Sequence, residues 1–173
     1  MALSIIFSSI LFLLSMICVV YRLVASPACA FLGLLVISMG HTDEGFPLLP
    51  IGNGMLLGWL FMTLLVMIVT LCQPSPLRNT RRGMGYYLVS AICGVAVGML
   101  GFTFITSIGG RYVFMIVTVA VSIFIGALMY SNTPAGRPVG IASGHFFKYF
   151  LAKGFPTAIS FMQLGTVVVL SGL

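Results

Sequence analysis

The residues best suited to chemistry in this chain are few, and three of them lie close together. His41, Asp43 and Glu44 fall within four positions, and the two acids are the only carboxylate side chains in the 173 residues. General acid–base catalysis that needs a carboxylate would have to use this stretch. The spacing matches no closed metal site, so we predict no metal ion and no cofactor. We favour a protein that is not an enzyme, with His41, Asp43, Glu44 or His145 as its catalytic candidates if it is one.

Basic residues form a second group and occur in short segments between apolar runs. Eight Lys and Arg against two acids give a net charge of +6. No segment forms a polybasic tail, so nucleic-acid binding is not expected. Short basic segments beside apolar runs are typical of loops that meet the lipid bilayer at its anionic headgroups. We predict such contacts for Arg78, Arg81, Arg82, Arg137, Lys148 and Lys153.

Polar side chains are scarce inside the apolar runs. Gln163 and Thr166 lie three positions apart and share a helix face. Asn53 lies in a Pro- and Gly-rich entry, 47–54, whose composition favours irregular backbone that lines a cavity. Asn53, Gln163 and Thr166 are therefore the predicted ligand-binding residues if the protein carries a solute. No ionisable side chain is expected deep inside an apolar run, which argues against ion-coupled transport.

Small residues recur at a spacing of four and predict close helix packing. This spacing places two glycines or serines on one helix face, where another backbone can approach. We predict that the fourth and fifth apolar runs pack together across a turn at Gly109-Gly110. The residues expected at this contact are Gly94, Gly98, Gly101, Ser122 and Gly126.

The composition shows which elements must position these residues. The chain is 60% hydrophobic and 6% charged, whereas a soluble domain has about a quarter of its residues charged. With a mean hydropathy of +1.20, it is predicted to be an all-α membrane protein: one compact bundle of six transmembrane helices without a soluble domain. Segment 141–153 combines bases with aromatic residues and is predicted to form a short interfacial helix before the last span. The expected spans are 2–21, 23–40, 51–73, 86–108, 112–130 and 155–173.

The distribution of bases predicts an orientation. In the six-span arrangement, seven of the eight bases, including Arg22, fall on one side, and only Arg111 falls on the other with both acids. Basic loops stay in the cytoplasm. We therefore predict a multi-pass protein of the inner (plasma) membrane with both termini outside the cytoplasm.

Three functions stay open at this point. The favoured hypothesis is a non-catalytic subunit that packs against other membrane subunits or against a second copy of itself, because loops are short and ionisable groups are scarce. The alternative is a small-solute carrier or substrate-binding membrane component, with a site at Asn53 and Gln163. A further alternative is an enzyme that acts on a lipid headgroup.

Overall fold

The fold was derived from a computed structural model that describes residues 2–21, 24–42, 45–75 and 81–171. Within these ranges the chain forms six α-helices and no β-strand. Short 3-10 turns follow the fourth helix and lie between the fifth and sixth helices. The helices are α1 (Ala2–Tyr21), α2 (Ser26–Ser38), α3 (Asn53–Cys72), α4 (Met84–Leu100), α5 (Ile108–Ser131) and α6 (Phe146–Leu170).

Helix length and composition fit a membrane protein. Five of the described helices, all except α2, are long and apolar enough to cross a membrane. α2 has 13 residues. At 1.5 Å per residue it is about 20 Å long, shorter than the ~30 Å hydrocarbon core of a bilayer. Each predicted span overlaps a described helix; α2, α3 and α4 are shorter than the second, third and fourth predicted spans, whereas α5 and α6 are longer than the fifth and sixth.

α6 is the central element of the bundle. It packs against each of the other five helices. In its most apolar 18-residue stretch 67% of the residues are buried, against 22–33% in the other four long helices. Those helices each keep an outward apolar face, as Leu64 on α3 and Val121 on α5 illustrate. Beyond the exposed first turn, which holds Lys148, a polar side chain on α6 must therefore find its hydrogen-bond partners inside the protein.

α1 and α2 form an antiparallel hairpin that starts partway along α1. The Ser15 hydroxyl donates to the Ser26 carbonyl at 2.9 Å, so α2 begins beside the third quarter of α1. Farther along, the Ser8 hydroxyl donates to the Gly33 carbonyl at 2.9 Å. A Cβ placed on Gly40 would lie 2.9 Å from Ser4 Cβ, so the chain returns to the start of α1. The chain that follows α2 therefore returns to the level of the start of α1, although α2 itself is short.

α4 and α5 pack through their small residues. A Cβ placed on Gly94 would lie 2.8 Å from Val119 Cα, closer than two carbon atoms can approach. Gly98 and Gly101 likewise have no room for a Cβ beside α5, and the Ser122 hydroxyl donates to the Ser90 carbonyl. Gly126 on α5 faces Ser90 in the same way. All five small residues that the sequence indicates lie at this contact.

The connection between α4 and α5 differs from the expected glycine turn. Gly109 and Gly110 belong to the first turn of α5, and the chain reverses before them, at 104–107. The Ser107 hydroxyl accepts a hydrogen bond from the Gly110 amide at 3.2 Å and caps the helix. Serine is a preferred N-cap because its oxygen binds an otherwise free backbone N–H.

The expected interfacial helix before the last span is not a separate element. Ile141–Ser143 forms a single 3-10 turn, and Gly144 with φ +70° ends it. The region from Phe146 onward is the start of α6, which continues through Pro156 to Leu170. The proline lacks an N–H, which weakens the helix locally without ending it.

The described bases are segregated between the two ends of the bundle. Arg81, Arg82, Arg137 and Lys148 are all exposed and lie near the start of α4, the end of α5 and the start of α6. We call this the basic end. Arg111 lies at the opposite end, where its Nε donates to the Ile105 carbonyl at 2.6 Å.

The seam between α4 and α5 yields a stability prediction. Gly94→Leu inserts a side chain against the α5 backbone and should lower the free energy of unfolding by about 2 kcal/mol, because overpacking costs about 1–3 kcal/mol. Gly85→Leu is the matched control, since a Cβ at this α4 glycine contacts nothing within 4 Å. Denaturant titration of the detergent-solubilised protein measures both. Equal stability of the two variants would contradict the seam.

Candidate functional site

The polar side chains of the central helix separate into two classes. Thr157, Ser160 and Thr166 are buried, and each hydroxyl donates to the carbonyl four residues earlier at 2.8–2.9 Å. These groups are satisfied within α6. Lys153 and Gln163 are also fully buried, but each carries a polar atom without a hydrogen-bond partner. Most buried polar atoms in proteins have a hydrogen-bond partner, so a buried polar atom without one needs a structural or functional explanation.

Gln163 connects α6 to α3. Its Nε2 donates to Thr63 Oγ1 at 2.8 Å, and the Thr63 hydroxyl donates to the Trp59 carbonyl at 2.7 Å. Gln163 Oε1 is left without a partner, and Trp59 Nε1 has the Tyr112 side chain beside it but makes no hydrogen bond of normal geometry.

A cavity of about 330 Å³ adjoins this junction. Its walls come from α3, α5 and α6. Both α3 and α5 pack against α6, and they make fewer contacts with each other. Trp59 contributes to the wall, and Tyr112 lies beside both Trp59 and Thr166. Most of the lining is apolar, with three flexible methionines. The lining residues are Met55, Gly58, Trp59, Met62, Tyr112, Ile116, Ile159 and Met162.

The predicted ligand-binding residues are only partly brought together. Gln163 and Thr166 lie one turn apart on α6 beside the cavity wall. Asn53 is exposed at the first position of α3, ten residues before Thr63. Ten residues correspond to about 15 Å along a helix, so Asn53 does not face Gln163. The groups that sequence reasoning missed here are Trp59, Thr63 and Tyr112.

Lys153 lies in a different place from the one expected for it. The sequence predicts a headgroup contact outside the last span, whereas the side chain is 0% exposed on the second turn of α6. Its Nζ has no hydrogen-bond partner and lies 5.6 Å from the Tyr149 ring centroid. Lys153 is therefore a buried ionisable side chain near the start of a helix that is long and apolar enough to cross a membrane.

Serine side chains link three helices at mid-bundle. The Ser26 and Ser160 hydroxyl oxygens are 2.7 Å apart, and those of Ser15 and Ser26 are 3.2 Å apart. All three side chains are buried. This chain of hydroxyls fixes the start of α2 against α1 and α6, and its members are mutually satisfied, so it indicates a structural role.

The other predicted headgroup contacts lie at the basic end. Arg81, Arg82, Arg137 and Lys148 are exposed there, whereas Arg78 lies outside the described residues. The Arg81 guanidinium stacks on the Tyr21 ring, 4.6 Å from its centroid. Arg137 lines a surface cavity of about 650 Å³ formed by the connection between α5 and α6.

The catalytic candidates do not form a described cluster. His41 and His145 are exposed at opposite ends of the bundle, and the His41 Nδ1 lies 3.1 Å from the Met39 carbonyl. Asp43 and Glu44 lie outside the described residues. Within the described ranges, no group of three His, Cys, Asp or Glu side chains could hold a metal ion.

Comparison with known proteins does not assign this chain to a family. No protein-family model matches it, and neither a curated protein nor a solved structure does. The cavity and the two unsatisfied groups of α6 are therefore the features that bear on function.

The Gln163 junction yields a second stability prediction. Thr63→Val leaves both amide atoms of Gln163 without a partner and should destabilise the protein by about 1–2 kcal/mol. Gln163→Met removes both polar atoms at similar volume and should cost less. Denaturant titration of the two variants shows which one has the lower free energy of unfolding. If Gln163→Met is the more damaging, Gln163 has a further partner that the contacts above do not include.

Proposed function

We propose that this protein is a multi-pass membrane protein that binds a small, largely apolar ligand in the cavity between α3, α5 and α6. The observation that carries the proposal is the cavity beside two unsatisfied polar atoms, Trp59 Nε1 and Gln163 Oε1. Ligand pockets are typically apolar clefts of about 300–1,000 Å³ with a few converging polar groups. The cavity has the volume and the lining of this class.

The wall indicates which ligands fit. Trp59 and Tyr112 supply aromatic surface, and methionine side chains adapt to irregular shapes. Trp59 Nε1 can donate to a ligand oxygen, and Gln163 Oε1 can accept from a hydroxyl or amide. Both atoms are buried behind the wall, so the contacts require a side-chain rotation. We therefore infer a small apolar molecule that carries one hydroxyl or amide group.

A carrier or substrate-binding component accounts for the cavity better than a passive subunit does. The gap between α3 and α5 lets a membrane-soluble molecule enter from the side of the bundle. The subunit hypothesis explains small-residue packing, but it needs neither the cavity nor the free polar atoms. It remains a prediction, as do the association with other membrane subunits or with a second copy, and the headgroup enzyme.

The proposed orientation follows the bases. Basic residues are retained on the cytoplasmic side of inner membranes. We place the basic end in the cytoplasm, which puts both termini outside it. In this arrangement the ligand cavity belongs to the outer half of the membrane, because Tyr112 lies near the start of α5 and Thr166 near the end of α6.

Two glycines on α3 provide the test. Gly58 lines the cavity, Gly54 does not, and a Cβ at either position contacts nothing within 4 Å. Gly58→Phe should fill the cavity and reduce ligand occupancy about tenfold or more, since the ring would replace the ligand. Gly54→Phe should retain the occupancy of the native chain. Native mass spectrometry of protein purified gently from its own membranes measures the bound mass.

Two outcomes would contradict this proposal. The native chain could carry no small molecule beyond bulk lipid. Alternatively, both phenylalanine variants could retain the same bound mass, which would place the ligand elsewhere. A defined complex with other polypeptides and without a small molecule would support the subunit hypothesis instead.

A further inference from the structure

Lys153 is a buried lysine without a counter-charge. Its side chain is fully enclosed, and its Nζ has no hydrogen-bond partner among the described residues. An ammonium group removed from water is costly unless it is paired. A lysine that serves only to anchor a helix end extends its amine into water, and complete burial excludes this role for Lys153.

Among the residues that the structure describes, no carboxylate side chain is present to pair with this lysine. The only acids of the chain, Asp43 and Glu44, fall between Thr42 and Gly45 in sequence. Those flanking residues follow α2 at the opposite end of the bundle, where Gly40 packs near Ser4. The part of the chain that the structure describes therefore offers Lys153 no counter-charge.

Tyrosines separate Lys153 from the basic end. We call three neighbouring side chains, Tyr87, Tyr130 and Tyr149, the tyrosine layer. The Tyr149 ring centroid lies 6.0 Å from that of Tyr87 and 5.7 Å from that of Tyr130. The Tyr149 hydroxyl donates to the Arg82 carbonyl, which joins the layer to the exposed basic end. The Tyr87 hydroxyl is buried and has no partner. The Tyr87 ring and Lys153 Nζ thus both lie beside the Tyr149 ring.

The Lys153 amine points toward this layer. Tyr149 precedes Lys153 by one turn, and Nζ lies 5.6 Å from its ring centroid. Helical side chains extend toward the helix N-terminus, which for α6 is the basic end. An anion that reaches Nζ from the exposed bases would have to displace the tyrosine layer.

We propose that Lys153 binds an anionic group, a phosphate or a carboxylate, which enters from the basic end and receives a second hydrogen bond from Tyr87. The exposed bases Arg81, Arg82, Arg137 and Lys148 raise the local concentration of anions at the entrance. The anion supplies the counter-charge that the described residues lack. This site is independent of the apolar cavity, because Lys153 does not line that cavity.

The test uses the full-length chain in nanodiscs of neutral phosphatidylcholine. Sodium phosphate and sodium acetate are added separately, with sodium chloride at equal ionic strength as the reference, and the melting temperature is recorded. Both the native chain and Arg111→Gln, which removes a positive charge at the opposite end, should be stabilised by at least one of these anions. Lys153→Met should lose the stabilisation, and Tyr87→Phe should bind about tenfold more weakly.

A second arm distinguishes a free anion from a lipid headgroup. Nanodiscs that contain phosphatidylglycerol replace the soluble anions. Stabilisation in these discs alone, lost in Lys153→Met, assigns the anionic group to a lipid. Lys153→Met retains the side-chain length and removes the unpaired charge, and its melting temperature in chloride reports whether it folds.

The proposal is overturned if no anion and no anionic lipid stabilises the native chain, or if Lys153→Met is stabilised as strongly as the native chain. If Lys153→Met does not fold, the anion affinity of Tyr87→Phe tests the proposal. Unchanged anion affinity in that variant would also contradict the site.

Discussion

The burial of α6 beyond its first turn is the constraint on which the rest of this structure depends. The first turn exposes Phe147 and Lys148, but the rest of the helix is enclosed by the other five, so its polar side chains must be satisfied inside the protein. Thr157, Ser160 and Thr166 meet this condition with carbonyls of their own helix. Lys153 and Gln163 do not, and their unsatisfied atoms are the observations from which we propose two binding sites.

The two proposed sites lie on either side of Pro156. Lys153 and Gln163 are ten residues apart, about 15 Å along the helix, and the proline between them removes one backbone hydrogen bond. The site at Lys153 has unpaired donors and lies near the bases, which suits an anion. The site at Gln163 has an apolar wall and lies open to the side of the bundle, which suits a membrane-soluble molecule. α6 therefore contributes to two proposed sites that suit different ligands and lie at different levels along the helix.

Much of the helical architecture could be predicted from the sequence, since apolar runs of membrane length leave few alternatives. The small residues of α4 and α5 could also be identified, because Gly94 and Gly98 occur at helical spacing. Lys153 could not be placed, since hydropathy counts a lysine as the end of a span and Pro156 reinforced that boundary. Trp59, Thr63 and Tyr112 resemble ordinary span residues. Only the packing of α3 and α5 around α6 brings them to Gln163.

Carbene labelling from a hydrophobic photoreactive probe, dissolved in the native membrane and mapped by mass spectrometry, tests the central position of α6 most directly. The account predicts labels on the outward faces of α1, α3, α4 and α5, at positions such as Leu64 and Val121. It predicts none between Ala152 and Met162, apart from residues that border the cavity. Labelling of that stretch as strong as on α3, or no labelling of any helix, would contradict a membrane bundle built around α6.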